Sequence, residues 1–132
     1  MKQRIRKIDR ILKVQERLKQ EAELKVSLLE REAAELRTAQ EAIIHSMNDH
    51  STLHGLFVDV AAKRLQALST QEGHVEKAKV AQKAVALEKA MQAKRAEKML
   101  ANLKDRSRRE IEKKDLAAIL ETLAKGPSAS FP

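Results

Sequence analysis

The chain has no cysteine, tryptophan or tyrosine, and only three glycines, two prolines and two phenylalanines in 132 residues. Each shortage excludes something. Without cysteine there is no disulfide framework and no thiolate metal site, which fits a reducing compartment. With Phe57 and Phe131 as the only aromatics, the stacking platforms that hold single-stranded nucleic acid are missing. No stretch approaches the roughly 18 apolar residues of a membrane span. The start, "MKQRIRKIDRILK", is basic but carries no continuous apolar run, so a secretory signal is not expected.

Helix-forming residues fill the space. Hydrophobic residues make up 42% of the chain, but twenty of them are alanine, and charged residues make up 35%. A bias to Ala, Glu, Lys, Leu and Arg with so few turn residues is the composition of long helices and coiled coils. Too few large apolar side chains are present to fill a thick globular core. The net charge is +8. Residues 2–13 hold six bases against Asp9, residues 16–41 seven acids against five bases, residues 76–98 seven bases against three acids, and residues 104–114 six against three. A field of this kind suits an acidic partner: nucleic acid, anionic membrane or an acidic protein surface.

The apolar pattern is helical throughout. In the first half a heptad seam runs through Ile8, Ile11, Gln15, Leu18, Ala22, Lys25 and Leu29, takes a stutter near residue 30 to Ala33, and resumes through Leu36, Gln40, Ile43 and Met47. The second half opens on Leu53, Leu56, Phe57, Val60, Ala61, Leu65 and Leu68. It thins into one line through Gln71, Val75, Ala78, Gln82, Val85, Lys89, Gln92, Ala96, Met99 and Leu103, and a second through Val80, Ala84, Leu87 and Met91. A last amphipathic piece carries Leu116, Ile119, Leu120 and Leu123 before Gly126-Pro127.

The breakers cluster in "HSMNDHSTLHGLF", residues 45–57. Asn48 or Asp49 can end one helix, and Ser51 or Thr52 can cap the next. The alternative turn is "STQEG", residues 69–73, with a Ser69/Glu72 capping box. The first choice predicts an all-α fold, two long helices in an antiparallel coiled-coil hairpin over residues 1–125. Helix A covers about 3–48, the turn about 49–52 and helix B about 53–125, with a flexible tail at 126–132. At 1.5 Å per residue the helices are roughly 70 and 110 Å long. Helix A's acidic middle then lies along the basic 76–98 stretch of helix B. The basic N-terminus meets the 104–114 segment, and helix B overhangs.

No catalytic, cofactor or metal site is expected. His50 and His54 are four apart, but without a matching carboxylate motif they read as polar turn residues. No Gly-rich phosphate loop and no nucleophile–base arrangement is present, so an enzyme is not expected. A basic start followed by heptads suggests nucleic-acid binding, but Ile5, Ile8, Ile11 and Leu12 give that segment an apolar face suited to a partner helix. In "RSRREIEKKDLAAILETL" the apolar face of Leu116, Ile119, Leu120 and Leu123 lies beyond the end of helix A, which marks it as an interface.

The basic amphipathic start, the long first helix, the central break followed by "LHGLFVDVAAKRLQAL" and the ending "RREIEKKDLAAILE" together resemble the FliJ/YscO family of bacterial type III export stalk proteins, over nearly all of residues 1–125. Phe57 stands alone after the break, where many members carry further aromatics. The resemblance implies a cytoplasmic, non-enzymatic stalk and adaptor, acting at the inner-membrane export apparatus in flagellar or injectisome export and peripheral to the membrane through its partners. Those partners are a hexameric export ATPase, the export gate and secretion chaperones, with no small-molecule substrate and no nucleic acid. Arg4, Arg6, Lys7 and Arg10, with Arg106, Arg108 and Arg109, would face acidic loops of the ATPase ring. A basic helical nucleic-acid binder and a parallel homodimeric scaffold are the alternatives.

Overall fold

The structure is a computed structural model that describes residues 1–48 and 54–129. These residues form two helices, α1 (Lys2–Met47) and α2 (His54–Ala129), packed against each other. The described residues contain no strand. At the end of α1 the Asn48 amide donates to the carbonyls of Ile44 (3.1 Å) and His45 (3.2 Å). The expected turn at 49–52, with its Ser51 and Thr52 caps, lies outside the described residues, as does His50 of the His50/His54 pair. The alternative turn at 69–73 is excluded, because α2 runs unbroken through Ser69 and Gly73.

The other end departs from expectation. Helix α2 passes through Gly126 and Pro127 to Ala129, so residues 126–129 of the expected tail are helical. A proline costs a helix its own missing N–H bond and crowds the carbonyl four residues back. Here the carbonyl that loses its donor is that of Leu123, on an exposed turn where water can satisfy it.

The chain divides into two compact units: Arg17–Ala90, and Met1–Glu16 with Met91–Pro132. In the first unit, α1 turns inward Ala22, Val26, Leu29, Ala33, Leu36, Gln40, Ile43 and Met47, all buried or half-buried. The steps alternate four and three without exception, so the expected stutter near residue 30 is absent. Val26 takes the inward place assigned to Lys25, which is exposed. Across from them α2 turns inward Ala61, Leu65, Leu68, Glu72, Val75, Lys79, Gln82 and Ala86. The centre is a cluster of Ala33, Leu36, Leu68 and Val75, flanked by Leu29, Ala39 and Ile43. Burying each large member contributes about 1.5–3 kcal/mol. Alanine contributes little area but lets the backbones approach.

The expected α2 lines need correction. Val75, Gln82, Lys89, Ala96 and Leu103 do face inward, but Gln71, Ala78, Val85 and Met99 are exposed. Val80, Leu87 and Met91 are exposed as well, by 66%, 63% and 49%. The second inward row falls one residue later, at Glu72, Lys79, Ala86, Ala93 and Leu100. Apolar character alone misplaces it because Glu72 and Lys79 are polar.

Hydrogen bonds explain why those polar positions are tolerated. Gln40 Nε2 donates to Glu72 Oε2 at 2.6 Å. Arg37 Nε donates to Glu72 Oε1 and its Nη2 to Glu76 Oε1, both at 3.0 Å. Lys79 Nζ lies 3.0 Å from Glu76 Oε2. Gln82 Nε2 donates to the Ala22 carbonyl at 3.3 Å. Polar groups at inward positions of paired helices fix register, because any slip leaves them unsatisfied. The expected pairing of acidic α1 with basic α2 appears at Glu30–Lys83, 3.6 Å apart. The closer contacts have the opposite sense, with the base Arg37 on α1 and the acids on α2.

In the second unit, α1 turns Ile5, Ile8, Leu12 and Gln15 inward, with Leu12 in the place expected of Ile11. On α2, Ala93, Leu100 and Leu103 are buried, at 3%, 6% and 5% exposure. Gln15 Oε1 is buried without a hydrogen-bond partner among the described residues. From Arg108 to Gly126 every residue of α2 is exposed.

Candidate functional site

The site is built in the Met1–Glu16/Met91–Pro132 unit from the first turns of α1 and one side of α2. Residues 95, 99, 102 and 106 follow one another at steps of four and three, and residue 98 lies three from 95 and four from 102, so they share a helix face. Arg95, Lys98 and Arg106 from that face meet Arg4 of α1 around an open depression of about 370 Å³, floored by Met99 and Leu103. None of these four cations has an acidic partner within ion-pair distance among the described residues. Elsewhere Arg37, Lys79 and Lys83 are each paired with a carboxylate.

Helix electrostatics add to the positive potential. The first turn of α1 holds no acidic residue, while Lys2 and Arg4 lie at its N-terminal end. The positive end of a helix macrodipole disfavours cations there by a few tenths of a kcal/mol each. An arrangement with this local cost attracts carboxylates or phosphates.

Beyond residue 107 an apolar face opens among the charged residues. Ile111, Leu116, Ile119, Leu120 and Leu123 are 53–65% exposed. Exposed singly such residues are ordinary, but four within two turns form a patch.

The structure distributes the expected basic residues unevenly. Arg4 and Arg106 come together at the depression. Arg6, Lys7 and Arg10 are exposed on α1. Arg108 and Arg109 are held by their own helix: Arg108 Nη2 lies 2.6 Å from Asp105 Oδ1 and its Nε 4.0 Å from Glu112, and Arg109 Nη2 lies 3.2 Å from Asp105 Oδ2. Such exposed pairs are weak and readily exchanged for a partner's carboxylate. Leu116, Ile119, Leu120 and Leu123 are all exposed. Sequence reasoning missed Arg95 and Lys98, though their spacing to Arg106 was a usable signal once the inward rows were right.

Among the described residues no group of three His, Asp or Glu is arranged to hold a metal ion. None of the described helices is long and apolar enough to cross a membrane. Compared with known protein families, with curated proteins and with solved structures, the chain gives no significant match in any of the three.

Proposed function

We propose that the chain is a non-enzymatic stalk and adaptor of a type III protein export apparatus, working on the cytoplasmic side of the membrane. Its two helices form one antiparallel coiled-coil hairpin. Supporting the direction of pairing, Ala22 meets Gln82, whereas Arg37 meets Glu72 and Glu76. The observation that carries the docking role is the unpaired quartet Arg4, Arg95, Lys98 and Arg106 beside an uncovered apolar strip. The identity of the apparatus rests on the sequence resemblance of the basic start and of "RREIEKKDLAAILE" to the export stalk family.

In this reading Arg4, Arg6, Lys7, Arg10, Arg106, Arg108 and Arg109 meet acidic loops of the hexameric export ATPase. Leu116, Ile119, Leu120 and Leu123 engage a gate component or a secretion chaperone. Titrating the full chain with the assembled ATPase ring tests it. Saturable binding is expected, weakened at least tenfold by Arg4→Glu with Arg106→Glu. A second reading, a basic nucleic-acid binder, is favoured by the net charge of +8 and the same quartet. Absence of ring binding together with steep salt-dependent binding to duplex DNA overturns the export reading in favour of that one.

A further inference from the structure

We infer that the side of α2 from Arg95 to Leu123 receives an acidic amphipathic helix of a partner protein. Its carboxylates lie against the cationic depression and its apolar stripe against Leu116, Ile119, Leu120 and Leu123. This rests on the reading of this end as a protein-docking site and not on the identity of the ATPase.

The first argument is alignment. In a helix paired at 3.5 residues per turn, residues seven apart line up. Arg95, Asn102, Arg109, Leu116 and Leu123 form one such row, and Met99, Arg106, Lys113 and Leu120 the row beside it. Arg95, Met99, Asn102 and Arg106 line the depression, so the depression and the strip lie on one side of α2. It runs 29 residues, from 95 to 123, or about 42 Å at 1.5 Å per residue.

The second argument concerns what covers the strip. The inward rows that meet α1, through Ala93, Ala96, Leu100 and Leu103, continue at seven-residue steps to Glu110, Lys114, Ala117, Glu121 and Ala124. None of these is a strip residue. A longer α1 would therefore run along a different face and leave the strip open. The occupant comes from another molecule and from the side of Arg95 and Arg109.

Its chemistry follows from charge and area. A second copy pairing strip to strip would bury only two turns of helix, well short of the roughly 1,200 Å² of a stable interface. Extending that contact in parallel register would set one cationic depression beside the other. Anionic lipid fits poorly as well, because residues 95–123 carry eight bases against six acids, too little net charge for a polybasic membrane segment. A helix with a carboxylate row and an aliphatic stripe satisfies both halves at once, as a helix-in-groove partner.

The test uses the full chain and a labelled synthetic 28-residue helical peptide, with a leucine stripe at one end and glutamates facing outward at the other. A control peptide has each glutamate replaced by lysine. Binding is followed by fluorescence anisotropy, and the helicity of each variant by circular dichroism. The glutamate peptide is expected to bind saturably and the lysine peptide not. Leu116→Ser with Leu120→Ser, and separately Arg95→Glu with Arg106→Glu, should each weaken binding at least tenfold, only the second loss shrinking as salt rises. Leu116, Leu120, Arg95 and Arg106 are all exposed, so these variants keep the fold. Equal binding of the two peptides, or binding indifferent to the leucine changes, overturns the proposal. So does a concentration-dependent dimer dissolved by Leu120→Ser, which assigns the strip to a second copy, or strip-dependent binding to phosphatidylserine vesicles without peptide binding. Ring binding with no peptide binding defeats this inference alone, and peptide binding with no ring binding defeats the export reading alone.

Discussion

The Arg17–Ala90 unit and the α2 side from Arg95 to Leu123 are made from the same residues and put to opposite use. In the first, cations meet anions across the helix pair, where Arg37 grips Glu72 and Glu76 and Lys83 reaches Glu30, and Lys79 closes on Glu76 along α2. The inward leucines there are covered, Leu68 to 4% and Leu36 to 9% exposure. In the second, four cations surround a depression without an acid among them, and Leu120 is 58% exposed. The inward rows of the first region, satisfied by each other, hold the chain together. The depression and the strip of the second, left open, are available to something else.

Breaking the first region should have the largest effect. Leu68→Ala is expected to destabilise the isolated chain by about 2–4 kcal/mol, the cost of truncating a buried leucine. Leu120→Ala should change it by less than about 0.5 kcal/mol, as for a surface site. Thermal unfolding followed by circular dichroism compares the two directly. Equal losses would mean that the strip is covered in the free chain.

The two inward glutamines sharpen the same contrast. Gln40 is bonded to Glu72 and to the Leu36 carbonyl, so Gln40→Leu should cost about 1 kcal/mol by stripping a partner from a half-buried carboxylate. Gln15 Oε1 is buried without a partner, so Gln15→Leu should raise stability by about 1 kcal/mol. Urea unfolding midpoints of opposite sign are the expected result.

Smaller effects involve titration. The Lys79 ammonium bonded to Glu76, opposed by partial desolvation and aided by Arg37, holds that carboxyl below its ordinary value of 4.5. Hydrogen bonds to Glu72 and Glu76 push the Arg37 guanidinium further up. A carboxyl with a lowered folded-state pKa adds stability that is fully present above its unfolded value. That stability is lost as the pH falls through the folded one. The melting temperature should therefore decline as the pH is taken below about 4.5, and Glu76→Gln should flatten that decline. The smallest effect is expected at Arg106→Glu, near neutral in the free chain because it relieves repulsion with Arg4 and Arg95.

The two helices and the end of the first were legible in composition and in the breakers around Asn48, because long helices need only propensity and a repeat. The register was not. Lys25 and Val26, or Gln71 and Glu72, differ by one residue and both fit a loose apolar count. What selects Glu72 is Gln40 and Arg37 on the other helix, a contact no local window contains. The candidate site was half legible for the same reason. Arg4 and Arg106 stood out as charge runs, and Leu116 to Leu123 as an apolar face. Arg95 and Lys98 were submerged in a basic stretch whose inward side was unknown.

Amide hydrogen exchange on the free chain at high dilution most directly tests the division between a satisfied pair and an open docking side. Unpartnered helix exchanges quickly, and paired helix slowly. Residues 29–43 and 61–76 are expected to be protected and residues 108–126 to exchange at least tenfold faster, slowing only when the glutamate peptide is added. Equal protection of 108–126 in the free chain would contradict the account.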